Sequence, residues 1–239
     1  MAVLLLRLSG PLQSWGVQSH FTNRDTEREP SKSGVIGLLC AALGRTRTAP
    51  IDDLVRLRMG VRVDQPGERL KDFHTAQNVR LASAKAVGIA GGKEVRDSIS
   101  DRYYLMDARF LVGLEGDDLA LLTTLYHALQ NPHWPLYLGR KACVPGQPVW
   151  LEQNGLQADK SLEQALAGYP WLGPARVNEE DRPTRLRLAI EDPNGPIVRP
   201  DQPISFDERT FGPRRLSIAY CDCPAVCLEE EVARCSSRV

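Results

Sequence analysis

No sign of charge is in surplus: 30 Lys and Arg balance 30 Asp and Glu among the 239 residues. Free-standing nucleic-acid binders carry a basic excess as a rule. Recognition of a polyanion by bulk charge is therefore excluded, while a local patch on one subunit of a larger assembly is not. Long apolar runs are missing as well. No segment approaches the roughly 18 apolar residues that read as a membrane span. The opening MAVLLLRLSG is short and is interrupted by Arg7, which reads as a first strand rather than a secretory signal. The expectation is a cytoplasmic protein without membrane contact.

Catalytic signatures are absent too. The four histidines, His20, His74, His127 and His133, have no serine, cysteine or acid beside them in a nucleophile pattern. There is no H-E-x-x-H, and GGKEV at 91–95 lacks both the first glycine and the hydroxyl residue of a phosphate-binding P-loop. No cofactor is implied. Four of the six cysteines, Cys221, Cys223, Cys227 and Cys235, crowd into the last nineteen residues as C-x-C-x3-C-x7-C. Without C-x2-C knuckles or a nearby histidine, this is read as a reduced tail over 221–239 rather than a metal site.

What is present reads as a mixed fold. Residues 1–8 are aliphatic, as in a strand buried on both faces, and a polar loop follows over 9–32. In PSKSGVIGLLCAALG, Pro30 with Ser31 or Ser33 starts a helix and Gly44 stops it. A short helical piece around 51–57 leads to a strand over Met59–Val63, and a second strand is expected over 105–114. Asp117 or Asp118 then caps a helix with an apolar stripe of Leu119, Leu122, Leu125, Tyr126 and Leu129. One further strand would complete a ferredoxin-like unit. The segment 66–104 is long for a connection, and from His74 to Lys93 it holds Arg80, Lys85 and Lys93 and no acid. It is expected to project and to rest on a partner. Prolines 132, 135, 145 and 148 place a boundary near residue 134. A smaller β-rich region is expected over 135–220, with a helix at 160–167 and strands at 185–190 and 215–220.

Three clusters could meet phosphate. A helix start at SKSG offers free N–H groups and hydroxyls beside Lys32, although an ordinary capped helix has the same sequence. Trp15, in the loop SGPLQSWG, could stack on a base, or be core. Arg140 and Lys141 follow a glycine in YLGRKAC. Two basic loops and a basic arm around one sheet point to RNA bound across several elements.

These pieces resemble CasD, the fifth Cas family (RAMP superfamily), from the type I-E CRISPR surveillance complex Cascade. The resemblance lies in LLRLSGPLQSWG (5–16), PSKSGVIGLLCAALG (30–44), KDFHT (71–75), YYLMDARF (103–110) and PLYLGRKAC (135–143). It implies an α+β chain with a ferredoxin-like, RRM-related domain over 1–134. It also implies a β-hairpin thumb inserted over about 66–104 and a small β-rich C-terminal domain after it. It implies a non-catalytic subunit that binds the 5′ handle of the crRNA and caps the backbone filament. The partners would be the backbone subunit (seventh Cas family), the large subunit and, indirectly, target DNA. The candidate RNA contacts are Trp15, Arg24, Arg28, Ser31 and Lys32, then His74, Arg80 and Lys85 on the thumb, then Arg140 and Lys141. The alternative is a metal-independent endoribonuclease processing repeat RNA, drawing acid and base groups from His20, His74, Tyr103, Tyr104, Lys32 and Lys141.

Overall fold

The computed structural model describes residues 1–17, 22–80, 95–174 and 177–224. Its centre is the first strand, β1 (Ala2–Ser9). The aliphatic run that opens the chain is buried on both faces because a layer packs on each side. Leu4, Leu6 and Leu8 point into one core with helix α1 (Lys32–Leu43), while Val3 and Leu5 point into a second core.

Seven strands form one antiparallel sheet in the order β10-β11-β9-β4-β7-β1-β8. They are β4 (Arg58–Gln65), β7 (Arg109–Gly116), β8 (Leu156–Ala158), β9 (Arg185–Glu191), β10 (Ile197–Ser205) and β11 (Thr210–Asp222), with β1. α1 lies between β1 and β4 in the chain, after which comes the short α2 (Asp52–Val55). A further helix, α3 (Leu119–Gln130), lies between β7 and β8. The C-terminal region thus flanks the β4-β7-β1 core on both sides, β8 beside β1 and β9 beside β4. β10 carries Pro200 and Pro203, which is compatible with its place on an edge, where a missing N–H costs no ladder bond.

α1 and α3 cover one face of the sheet. The caps follow the sequence: Ser31 accepts from the Gly34 N–H, and Gly44 at φ 72° closes the helix with its N–H on Cys40 and Ala41. Asp118 caps α3, whose Leu122, Leu125 and Leu129 are buried, whereas Leu119 is 48% exposed at the first turn. The other face is covered by α4 (Leu162–Gly168), which starts with a Ser161–Gln164 capping box. Gly60 and Gly113 face each other across β4 and β7, and a Cβ on either would strike Leu162 or Leu166 at 2.6–2.7 Å. Two opposed glycines let α4 lie directly on the sheet.

A second sheet is built on β6 (Val95–Met106). It pairs with β5 (Glu68–Arg80) along its length, and its other edge takes β2 (Leu12–Gln13) and β3 (Asn23–Arg24). Leu105 and Met106 therefore end β6 rather than open the strand expected over 105–114. The chain turns at Asp107, at φ 55°, whose N–H donates to Pro11, and β7 begins at Arg109. Among the described residues no helix is long and apolar enough to cross a membrane.

Arg62 of β4 locks α4 down. Fully buried, it spends all five guanidinium N–H groups: two on Asp64 at 2.6 and 2.8 Å, and three on the carbonyls of Leu166, Tyr169 and Pro170 at 2.5–2.8 Å. Those carbonyls lie at and just beyond the helix C-terminus, where acceptors are otherwise orphaned. Arg62→Met leaves Asp64 buried and unpaired, so a loss of about 3–5 kcal/mol is expected. Urea unfolding measures it, and a midpoint equal to that of the unsubstituted chain would refute this role.

Candidate nucleic-acid interface

The loop SGPLQSWG joins the end of β1 to four other segments. Gln13 is fully buried; its Nε2 donates to the carbonyls of Leu8 (3.1 Å) and Ala108 (2.7 Å), and its Oε1 accepts from Trp15 Nε1 at 3.1 Å. The Ser14 hydroxyl donates to the Tyr103 carbonyl and its N–H to that of Leu138. The Trp15 N–H donates to Thr26 Oγ1 at 2.9 Å, and its ring, 1% exposed, lies against Gly34 of α1. The tryptophan fills the space beneath the first turn of α1.

That first turn is already occupied by an anion from within the chain. The Lys32 N–H donates to the buried Asp201 carboxylate at 2.9 Å, and Arg214 holds the same carboxylate at 2.7 and 2.8 Å. Lys32 Nζ sits between both Glu191 oxygens at 2.9 Å and is 1% exposed. Burial pushes this ammonium below its ordinary pKa, and Glu191 opposes the shift. Glu29, just before the helix, pairs with Arg187 and with Arg199 (2.8 Å). Ser31 is consumed as the cap.

Arg140 is a clamp. It donates to the carbonyls of Tyr103 (3.0 Å), Arg24 (2.8 Å) and Asp25 (3.1 Å) and lies 4.9 Å over the Tyr104 ring. Three stretches distant in sequence are thereby held together. The preceding Gly139, at φ 92°, presses on the Ser14 carbonyl so closely that a Cβ would lie 1.8 Å from its oxygen. Together these parts form a cleft of about 260 Å³ lined by Trp15, Ser31, Ser33, Arg140, Phe206 and Phe211.

The candidates from sequence separate accordingly. Trp15, Ser31 and Arg140 come together at this cleft, and Lys141 lines the larger cleft beside it. Lys32 lies behind the wall in its ion pair. Arg24 ends β3 and Arg28 lies on the loop that follows; both are exposed. His74 stands on β5, its Nδ1 4.0 Å from Asp72 and its backbone opposite Ser100. Arg80 ends β5 opposite Val95, and Lys85 and His20 lie outside the described residues. Of the other acid–base candidates, Tyr104 is buried under Arg140 and Tyr103 faces Arg69 at 4.4 Å. Cys221 is in β11 and Cys223 follows it, whereas Cys227 and Cys235 lie outside the described residues. Among the described residues no cluster of three metal-ligating side chains occurs.

Sequence reasoning missed Arg47, Trp134, Tyr137, Phe206, Arg209 and Phe211, which line the clefts from three separate loops. The only local signals were RTR at 45–47 and the aromatics in HWPLY and FDERTF.

Comparison with known proteins gives the family. A family model described as "CRISPR-associated protein (Cas_Cas5)" matches residues 3–217. The chain belongs to the Cas5 family. Cascade subunit CasD of Escherichia coli (strain K12) is 32% identical over 190 residues, covering 74% of this chain and 81% of that protein. A solved structure titled "Crystal structure of Cas protein" is 42% identical, with a TM-score of 0.72, over 93% of this chain and 98% of that one. A chain of a "CRISPR RNA-guided surveillance complex" is 35% identical, with a TM-score of 0.73, over 93% and 91%. The matched span of this Cas5 chain takes in the SGPLQSWG loop, the Asp201–Arg214 pair and the Arg140 clamp.

Gly139→Ala is expected to push the 138–143 loop off Ser14 and to loosen the clamp, lowering stability by about 1–3 kcal/mol. Thermal unfolding beside Arg140→Lys, which loses the forked donor, checks this. Unchanged melting in both variants would show that the loops are held by other contacts.

Proposed function

We propose that this protein is the non-catalytic subunit of a type I-E CRISPR surveillance complex that holds the 5′ handle of the crRNA and caps one end of the backbone filament. One observation carries the reading: 93% of the chain superposes on a chain of an RNA-guided surveillance complex at 35% identity. It adjoins the backbone subunit of the seventh Cas family and the large subunit in the cytoplasm, and meets target DNA only through them.

In this reading the four-strand unit β8-β1-β7-β4, with α1 and α3 on one face, is the ferredoxin-like RAMP domain of residues 1–134, completed by a strand from beyond the boundary. Its support is the sheet order and the two crossing helices. The β5–β6 hairpin is the thumb, and 135–220 is the accessory β region that buttresses α1. RNA phosphates meet the exposed Arg24, Arg28 and Lys141, with His74, Arg80 and Lys85 of the 66–104 segment as further candidate contacts. Trp15, Ser31, Lys32 and Arg140 act by shaping the surface those groups share, because their polar atoms are already engaged. A phosphate-led grip suits a constant handle read by shape as well as by base.

A tagged pull-down from the native host, with sequencing of the co-purified RNA, tests this. Short RNAs sharing one constant 5′ end, accompanied by other CRISPR-associated proteins, are the expected result. Recovery of the protein without such RNA or partners would overturn the reading.

A further inference from the structure

Beyond the sequence candidates, a cleft of about 700 Å³ opens along the outer face of α1. Its walls are the turn after α1, the loop 134–141 and the tip of the β10–β11 hairpin. Its composition is unusual for a neutral protein. Arg47, Lys141 and Arg209 line it, and none makes a hydrogen bond or ion pair with a described residue; Arg45 also lines it but is tied bidentately to Asp53 at 2.5 and 2.6 Å. No carboxylate is among the lining residues. The acids of the hairpin tip, Asp207 and Glu208, line a neighbouring cleft with Asp52, which Arg47 shares.

Aromatic rings complete the walls. Trp134 is 40% exposed and Phe211 41%. Trp134 is set rigidly: its N–H and that of His133 donate to Ala41 and Ala42 at the end of α1, and the two rings stack edge to face at 5.1 Å. Phe206 packs at 6.4 Å against Phe211 and toward Gly37 of α1, which anchors the hairpin tip to the helix. Arg209 sits at φ 54°, a left-handed backbone that glycine or asparagine adopts more easily, and it is nevertheless a long cation.

We propose that the β10–β11 hairpin closes this cleft over one unpaired RNA nucleotide. The base lies against Trp134, Tyr137 and Phe211, and the flanking phosphates meet Arg47, Lys141 and Arg209. Flat rings beside unpaired cations are what single-stranded nucleic acid requires, since every base has a π-face and every linkage a charge. The volume lies within the range of small-ligand sites. The inference rests on the crRNA reading above and adds to it a nucleotide pocket supplied by the C-terminal strands.

The test uses the surveillance complex assembled with crRNA. After short-wavelength ultraviolet irradiation and digestion, nucleotide-bearing peptides are mapped. Adducts on Trp134, Tyr137 or Phe211 from a single handle position are expected. Arg209→Ala with Phe211→Ala, both exposed side chains, should lower the yield of those adducts roughly tenfold, consistent with loss of one stacked base, and Phe211→Tyr should retain them. Adducts elsewhere on the chain, with none in the cleft, would overturn the pocket and leave the handle reading standing. Peptide–peptide cross-links from Trp134 and Phe211 to another subunit would likewise overturn it, by making the cleft a protein interface. A complex devoid of RNA with a common 5′ end would instead overturn the underlying reading.

Discussion

The carboxylate of Asp201 occupies the N-terminus of α1, and the geometry of the candidate interface depends on that one contact. A helix start is an anion site by construction. Here the anion is the chain's own, delivered by β10 and oriented by Arg214. Lys32 and Glu29 reinforce it by reaching Glu191, Arg187 and Arg199 on β9 and β10. Such buried pairs contribute little net stability relative to an apolar core, but each is costly to break. They fix position: α1 cannot shift against β9–β11 without stranding a charge. The β10–β11 hairpin tip is therefore held beside α1, and the clefts between them have defined walls.

The same logic governs the SGPLQSWG loop. Its polar residues are turned inward, where Gln13 serves three partners and Trp15 supports the helix start. Arg140 then ties the loop region to β6, to the end of β3 and to the residue after it. A scaffold of this kind orders neighbouring cations and aromatics at little further entropic cost, since their backbones are already fixed.

Local signals were readable from sequence, and long-range pairings were not. A cap at Ser31 or Ser33, of which the structure uses Ser31, the stop at Gly44, the two-faced burial of β1 and the capped helix at 119–130 follow from spacing and chemistry alone. The burial of Trp15 and Lys32 did not follow, because their partners lie elsewhere in the chain: Lys32 meets residues 159 and 169 positions away. A lysine at a helix start looks the same whether it awaits a phosphate or neutralises a buried glutamate. β10 was hidden for a different reason. Its prolines suggest a loop, and only its place at the sheet edge makes them tolerable. The larger cleft was hidden most completely, since its walls come from residues near 45, 135 and 210, none of which forms a motif.

A net charge of zero is no bar to an RNA-binding surface, because charge acts over short distances in salt. At physiological ionic strength exposed charges are screened beyond about 8 Å. A phosphate entering the cleft therefore feels the groups that line it rather than the sum over 239 residues. Inside the protein, acids and cations are paired, as in Asp201 with Arg214, Asp64 with Arg62 and Glu191 with Lys32. At the rim, Asp53 neutralises Arg45 alone and leaves Arg47, Lys141 and Arg209 without a counter-ion among the described residues. Neutrality overall and cationic character at one cleft are compatible because pairing is complete where water is excluded and incomplete where it is not.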